Sequence, residues 1–144
     1  MDFLYFKDKN VSSLLEIEKD DSKEQLKEKD LFYETNENPV SKILVAKDGD
    51  NIVGYLDYWI TFDSSTIFKI IVKKEYRGKG IASKLLDIMF DDLRKNEVLY
   101  ATLEVRKSNE NAIKLYKKHD FKEITTKEKY YNDGEDAIYM VRGI

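Results

Sequence analysis

Along this chain the spacing of apolar and polar positions changes character several times, and each change marks an element. Phe3 to Lys7 alternates weakly and reads as a first strand, and Ser12 to Lys19 reads as a helix that brings Leu14, Leu15 and Glu18 together. A second, highly charged helix is expected from Ser22 to Lys29, and Thr35-Asn36-Glu37-Asn38-Pro39 reads as a loop because Asn and Pro favour turns. Three strands then follow. Lys42 to Lys47, Ile52 to Phe62 and Thr66 to Val72 are rich in branched and aromatic residues. They are separated by turn sequences at Asp48-Gly49-Asp50-Asn51 and Asp63-Ser64-Ser65, which predicts an antiparallel meander.

Helical spacing returns at Ile81, Leu85, Leu86, Met89 and Leu93, with Asn96 as the stop. Tyr100 to Arg106 alternates as a strand, with Ala101, Leu103 and Val105 on one face and Thr102, Glu104 and Arg106 on the other. Ser108 or Asn109 can cap a helix from Glu110 to Lys118, whose apolar side carries Ala112, Ile113, Leu115 and Tyr116 and which ends at His119-Asp120. Phe121 to Tyr131 and Ala137 to Arg142 form a last hairpin around Asn132-Asp133-Gly134. This order predicts an α/β fold, a mixed sheet with helices on its faces, in one domain over residues 1–144.

Composition narrows the chemistry. A chain of 144 residues holds one hydrophobic core, and 42% hydrophobic with 37% charged residues suffices to build and dissolve it. The formal charge of -3 argues against overall electrostatic attachment to nucleic acid. Cysteine is absent and His119 is the lone histidine, which removes thiol nucleophiles, disulfides and an imidazole zinc cluster; no metal is expected. The opening MDFLYFKDKN has neither a long apolar run nor the features of a signal peptide, so a cytosolic protein without membrane partners is expected.

Between the strand ending at Val72 and the helix starting at Ile81 lies Arg77-Gly78-Lys79-Gly80, with two of the chain's six glycines. Such a turn either joins two elements or lets a ligand approach the main chain. The helix start that follows offers unpaired N–H groups and a partial positive charge, a seat for phosphate to which Arg77 and Lys79 add charge. The spacing is neither GxxxxGK(S/T) nor GxGxxG, which excludes nucleoside triphosphatase and dinucleotide loops.

Arg77-Gly78-Lys79-Gly80-Ile81-Ala82 resembles the R/Q-x-x-G-x-G/A signature of the GCN5-related N-acetyltransferase (GNAT) superfamily. Leu103-Glu104-Val105-Arg106-Lys107-Ser108-Asn109, then Ala112-Ile113, Leu115-Tyr116, Phe121, Tyr130-Tyr131 and Asp136-Ala137-Ile138-Tyr139-Met140 resemble the RimI-type ribosomal-protein alanine N-acetyltransferases, a similarity running from Thr66 to the C-terminus. The resemblance implies a central twisted mixed sheet flanked by about four helices and splayed between the strands ending near Val72 and Arg106. It implies acetyl-CoA as donor, bound by the main chain at Ile70, Ile71 and Val72, by Arg77 to Ala82 and by Asn109. Two departures stand out: Asp120 replaces the Gly common before the Phe, and Lys19-Asp20-Asp21-Ser22 replaces a Phe-Pro-Trp-Ser-like segment.

Transfer to an amine needs that amine unprotonated, and an α-amino group has a pKa of about 8, so a base helps. Glu104 is either an exposed strand carboxylate or that base; main chain at Ile70 to Val72 is the candidate oxyanion donor. Tyr116 is either a core tyrosine or the acid that protonates the leaving thiolate, Asn109 a helix cap or a cofactor contact, and Tyr130 and Tyr131 strand packing or the walls of a peptide groove. Three functions follow. The first is acetylation of the N-terminal alanine of a ribosomal protein by a monomer or homodimer. The second is the same chemistry on lysine, a polyamine, another small amine or aminoacyl-tRNA, and the third a silent acyl-CoA-binding module.

Overall fold

The computed structural model describes all residues, 1–144. The strands are β1 (Asp2–Tyr5), β2 (Ser41–Asp48), β3 (Asn51–Thr61), β4 (Ser64–Val72), β5 (Tyr100–Arg106), β6 (Lys122–Lys127) and β7 (Ala137–Gly143). They form one sheet in the order β1-β2-β3-β4-β5-β7-β6, antiparallel throughout except where β4 meets β5. The helices are α1 (Ser12–Glu18), α2 (Glu28–Phe32), α3 (Ile81–Lys95) and α4 (Glu110–Lys118), with a π-helical turn at Tyr33–Glu37 and a 3₁₀ turn at Lys74–Tyr76.

The two faces of the sheet carry separate cores because side chains alternate along each strand. One core joins Leu44, Leu56, Tyr58, Leu103, Val105 and Met140 to α3 and α4; the other joins Ile43, Val45, Tyr55 and Ile71 to α1 and α2. Helix α3 buries Ile81, Leu85, Leu86, Met89, Phe90 and Leu93, each stabilising the fold by roughly 1.5–3 kcal/mol. Both long helices end on a non-glycine residue in left-handed geometry, Glu97 after α3 (φ 57°) and Asp120 after α4 (φ 69°). At α4 the N–H of Phe121 reaches the carbonyl of Tyr116 at 3.0 Å and that of Asp120 reaches Lys117 at 3.0 Å, a Schellman closure. Asp120 therefore holds the turn in place, at the steric cost a glycine avoids.

Four expectations need correction. Residues 22–27 are not helical: the Asp21 carboxylate accepts the N–H groups of Lys23 and Glu24 at 2.9 Å each, and Glu18 accepts that of Leu26 at 2.8 Å. Side chains that satisfy the backbone in this way compete with a helix, which starts only at Glu28. The expected loop at residues 35–39 begins inside the π-helical turn, where Thr35 bonds back to the carbonyl of Leu31 at 2.9 Å. The last hairpin's first strand stops at Lys127, so Tyr130 and Tyr131 lie in the connecting loop rather than in the ladder, and the β3–β4 turn is Phe62-Asp63 with both serines in β4.

Candidate active site

The sheet opens where β4 and β5 part. Their parallel pairing covers only Ser64–Thr66 against Tyr100–Thr102, while β4 runs on to Val72 and β5 to Arg106. A register break opposite Asp57/Tyr58 makes Phe68 an extra residue in β4, and such a bulge bends a strand away from its neighbour. Phe68 stacks on Trp59 with ring centroids 4.9 Å apart on the α1 side.

The ladder fixes which main-chain groups look into the opening. The N–H of Lys73 bonds to the carbonyl of Val53 at 2.8 Å, and antiparallel pairs alternate, so Ile71 and Lys69 also turn their polar groups towards β3. Ile70 and Val72 turn theirs towards β5, where no strand meets them. The Val72 carbonyl is taken by the Arg77 Nε at 2.9 Å, and a second Arg77 nitrogen bonds to the carbonyl of Asp20 at 3.1 Å. Arg77 thus braces the turn against β4 and the α1–α2 connection. Asp20 also accepts the Lys74 N–H at 2.8 Å, so the divergent Lys19-Asp20-Asp21-Ser22 segment docks on this end of β4.

Gly78 and Gly80 have φ of 77° and 81°, a left-handed geometry that L side chains resist. A Cβ at either would meet nothing within 4 Å, so the chain itself does not fill the space over the turn. Gly80 is the N-cap of α3, leaving the first N–H groups of that helix directed into the same space. An open cradle of positive-φ glycines, unpaired helix N–H groups and free N–H groups on β4 suits the pyrophosphate and amide arm of a coenzyme A thioester.

On the other side of the opening, β5 directs Glu104 and Arg106 away from Leu103 and Val105. Glu104 Oε1 accepts from the Lys127 ammonium at 2.8 Å, an ion pair that raises the lysine pKa. Arg106 Nη1 bonds to Asp133 at 2.8 Å and Glu135 at 2.9 Å, its Nη2 bonds to Glu24, and its guanidinium stacks on Tyr131 at 4.1 Å. Hydrogen bonds from Ser108 and Arg106 hold the Glu135 carboxyl down to about 2. Tyr131 is pushed up to about 12, chiefly by burial. Tyr116 is buried on α4 against Phe121, with ring centroids 5.8 Å apart, and burial raises its pKa. The Asn109 side chain accepts the Ala112 N–H at 3.2 Å and caps α4.

The structure links Glu104, Tyr130 and Tyr131 through Lys127, which pairs with Glu104 and lies over the Tyr130 ring, itself packed on Tyr131, whereas Tyr116 is buried in the core on the α3 side and residues 77–82 form a separate turn. Sequence reasoning missed Lys127, Glu24 and the Arg106 cluster. The signals were there in part: Arg106 shares the polar side of its strand with Glu104, and acids crowd Asp133-Gly134-Glu135-Asp136.

Residues 11–121 match the family described as Acetyltransferase (GNAT) family. The chain belongs to that family. Over 116 residues it is 33% identical to the ribosomal protein bS18-alanine N-acetyltransferase of Salmonella typhimurium, covering 78% of this chain and 77% of that protein. A stretch of 84 residues is 42% identical to the Escherichia coli enzyme of the same name; that match covers 56% of this chain and 57% of the relative. The crystal structure of the E. coli ribosomal-protein alanine N-acetyltransferase superposes with a TM-score of 0.89 at 28% identity, over 99% of this chain and 93% of that one. The chain is a GNAT N-acetyltransferase with the family's acyltransferase fold. No helix is long and apolar enough to cross a membrane.

Proposed function

We propose that this GNAT enzyme uses acetyl-CoA to acetylate the N-terminal alanine amine of ribosomal protein bS18 in the cytoplasm. The observation that carries the reading is the opening itself, with an open glycine cradle at the start of α3 and, on the other face, the Glu104 carboxylate paired with Lys127 beside the Tyr130 and Tyr139 rings. Acetyl-CoA supplies an activated acyl group as a thioester. Gly78, Lys79, Gly80, Ile81 and Ala82 hold its pyrophosphate through main-chain N–H groups, and the strand edge at Ile70 and Val72 holds the extended arm, with Asn109 near the start of α4 as a further contact.

Glu104 takes the proton from the acceptor amine, directly or through one water. The free N–H groups of Ile70 and Val72 donate to the acyl oxygen as it takes on negative charge. Burial keeps Tyr116 protonated at neutral pH, the state required of a group that donates to the leaving sulfur. Tyr130 and Tyr131, outside the ladder and packed edge to face at 5.0 Å, wall the groove along which an extended peptide approaches.

The test is intact-mass analysis of an Ala-starting bS18 peptide incubated with enzyme and acetyl-CoA, beside a panel of lysine peptides, polyamines and aminoacyl-tRNA. A gain of about 42 Da on the α-amine of the bS18 peptide supports the assignment. A gain on another acceptor alone moves the substrate, and tight acetyl-CoA binding without any product removes the enzyme.

A further inference from the structure

The acceptor side of the opening already contains an ammonium. Lys127 ends β6, and the register places Arg106, Ala137 and Lys127 in one row across β5, β7 and β6, with Glu104, Tyr139 and Thr125 in the next row on the same face. Lys127 Nζ lies 2.8 Å from Glu104 Oε1, 4.7 Å from the centroid of the Tyr139 ring and 5.5 Å from that of Tyr130. A carboxylate beside two ring faces is the arrangement that recognises an organic ammonium. It is also where the ammonium form of an acceptor must arrive if Glu104 is to take its proton.

We propose that Glu104, Tyr130 and Tyr139 form a binding site for a primary ammonium, that Lys127 is its resident occupant, and that an acceptor amine must displace Lys127 to enter. The proposal rests on the reading of Glu104 as base. Two observations separate Lys127 from the other cation on this face. Arg106 is held by three carboxylates, on Glu24, Asp133 and Glu135, and its side chain is 8% exposed. Lys127 pairs with Glu104 alone and is 40% exposed, on a flexible stem at the end of an edge strand, so it can swing into water without breaking the ladder.

An occupant tethered to the chain is present at high effective concentration, and apparent affinity for any competitor falls by the fraction of time the cage is vacant. Amines offering only an ammonium are therefore held off. A peptide N-terminus, which adds contacts along Tyr130 and Tyr131, can outcompete Lys127. The cage thereby favours peptide acceptors over free small amines.

The probe is n-butylammonium, titrated by NMR into the parent chain, Lys127→Met and Lys127→Arg, with melting curves to verify folding and Lys127→Gln as a second neutral variant. The expected result is binding about tenfold tighter or more in the two neutral variants, with Lys127→Arg behaving like the parent. In parallel, KM for an acceptor peptide falls in Lys127→Met, and the gain lies in KM rather than kcat. Equal butylammonium affinity in parent and neutral variants overturns the proposal, as does a loss of kcat with KM unmoved, which would make Lys127 a positioning residue for Glu104. If Glu104→Gln keeps full turnover, the base reading fails instead, and the butylammonium titration still decides the cage.

Discussion

The two sides of the β4–β5 opening are made of different materials. Towards α3 the walls are main chain and hydrocarbon: positive-φ glycines, free N–H groups and a helix with six buried apolar residues. Towards α1 and the β6–β7 loop they are ions: Lys69 with Glu18 and Asp21, Arg106 with three carboxylates, Lys127 with Glu104. A cofactor shared by a family can be met by backbone geometry, which a short contiguous segment encodes. An acceptor is selected by side chains, and in the proposed reading those come from the α1–α2 connection, β5, β6 and the β6–β7 loop. The difference teaches why one side is readable from a motif and the other only from the fold.

The comparison breaks most sharply at Glu104. Glu104→Gln is expected to lower turnover by about a hundredfold or more, the range of a general base, with acetyl-CoA affinity nearly unchanged in a calorimetric titration. Equal losses in both would place Glu104 in the binding framework. On the other side, Gly80→Val forces a branched residue into left-handed geometry and should weaken acetyl-CoA binding by about tenfold, with turnover at saturating donor less affected.

Stability experiments sharpen the contrast further. Removing Arg106 as Met leaves Glu24, Asp133 and Glu135 without their shared cation and should lower Tm by several degrees. Glu135 is depressed in the folded state, so its contribution is present above the ordinary carboxylate range and is lost as pH falls towards 2. The parent should therefore lose stability between about pH 4.5 and 2, and the Arg106→Met chain should lose less in that window.

Asp57 carries the opposite sign. It is buried beside the Glu34 carboxyl, its Oδ1 has no hydrogen-bond partner, and burial followed by Glu34 raises its pKa. A raised acid favours the fold at low pH and loses that contribution as pH climbs beyond the ordinary carboxylate range. Asp57→Asn should raise Tm at pH 8 and change little at pH 4, as read by melting curves at the two values. The smallest effect belongs to Asp120→Gly, which relieves a left-handed non-glycine residue in an intact Schellman turn and should stabilise by about 1 kcal/mol.

Much of the fold was legible because its signals are local. The meander from β2 to β4, the span of α3 from Ile81 and that of α4 from Glu110 to Lys118 follow from periodicity and turn residues. The opening between β4 and β5 followed from resemblance, and its physical origin, the bulge at Phe68, is invisible in a run of apolar residues where any position could be the extra one. The same register separates Ile70 and Val72, which face the opening, from Ile71, which the sequence grouped with them. The helix expected at residues 22–29 failed because Asp21 and Glu18 bind backbone N–H groups, held there by Lys69 from a strand 45 or more positions away. Lys127 escaped notice for a related reason: it meets Glu104 only after β7 has threaded between β5 and β6.

If binding and chemistry are divided across the opening, main chain on one side and Glu104 on the other, substitutions on the two sides have separable effects. The most direct measurement is acetyl-CoA titration of the parent, Gly80→Val and Glu104→Gln chains by calorimetry. Weakened binding is expected for Gly80→Val and near-parental binding for Glu104→Gln. Parental affinity in Gly80→Val, or lost affinity in Glu104→Gln, would contradict that division.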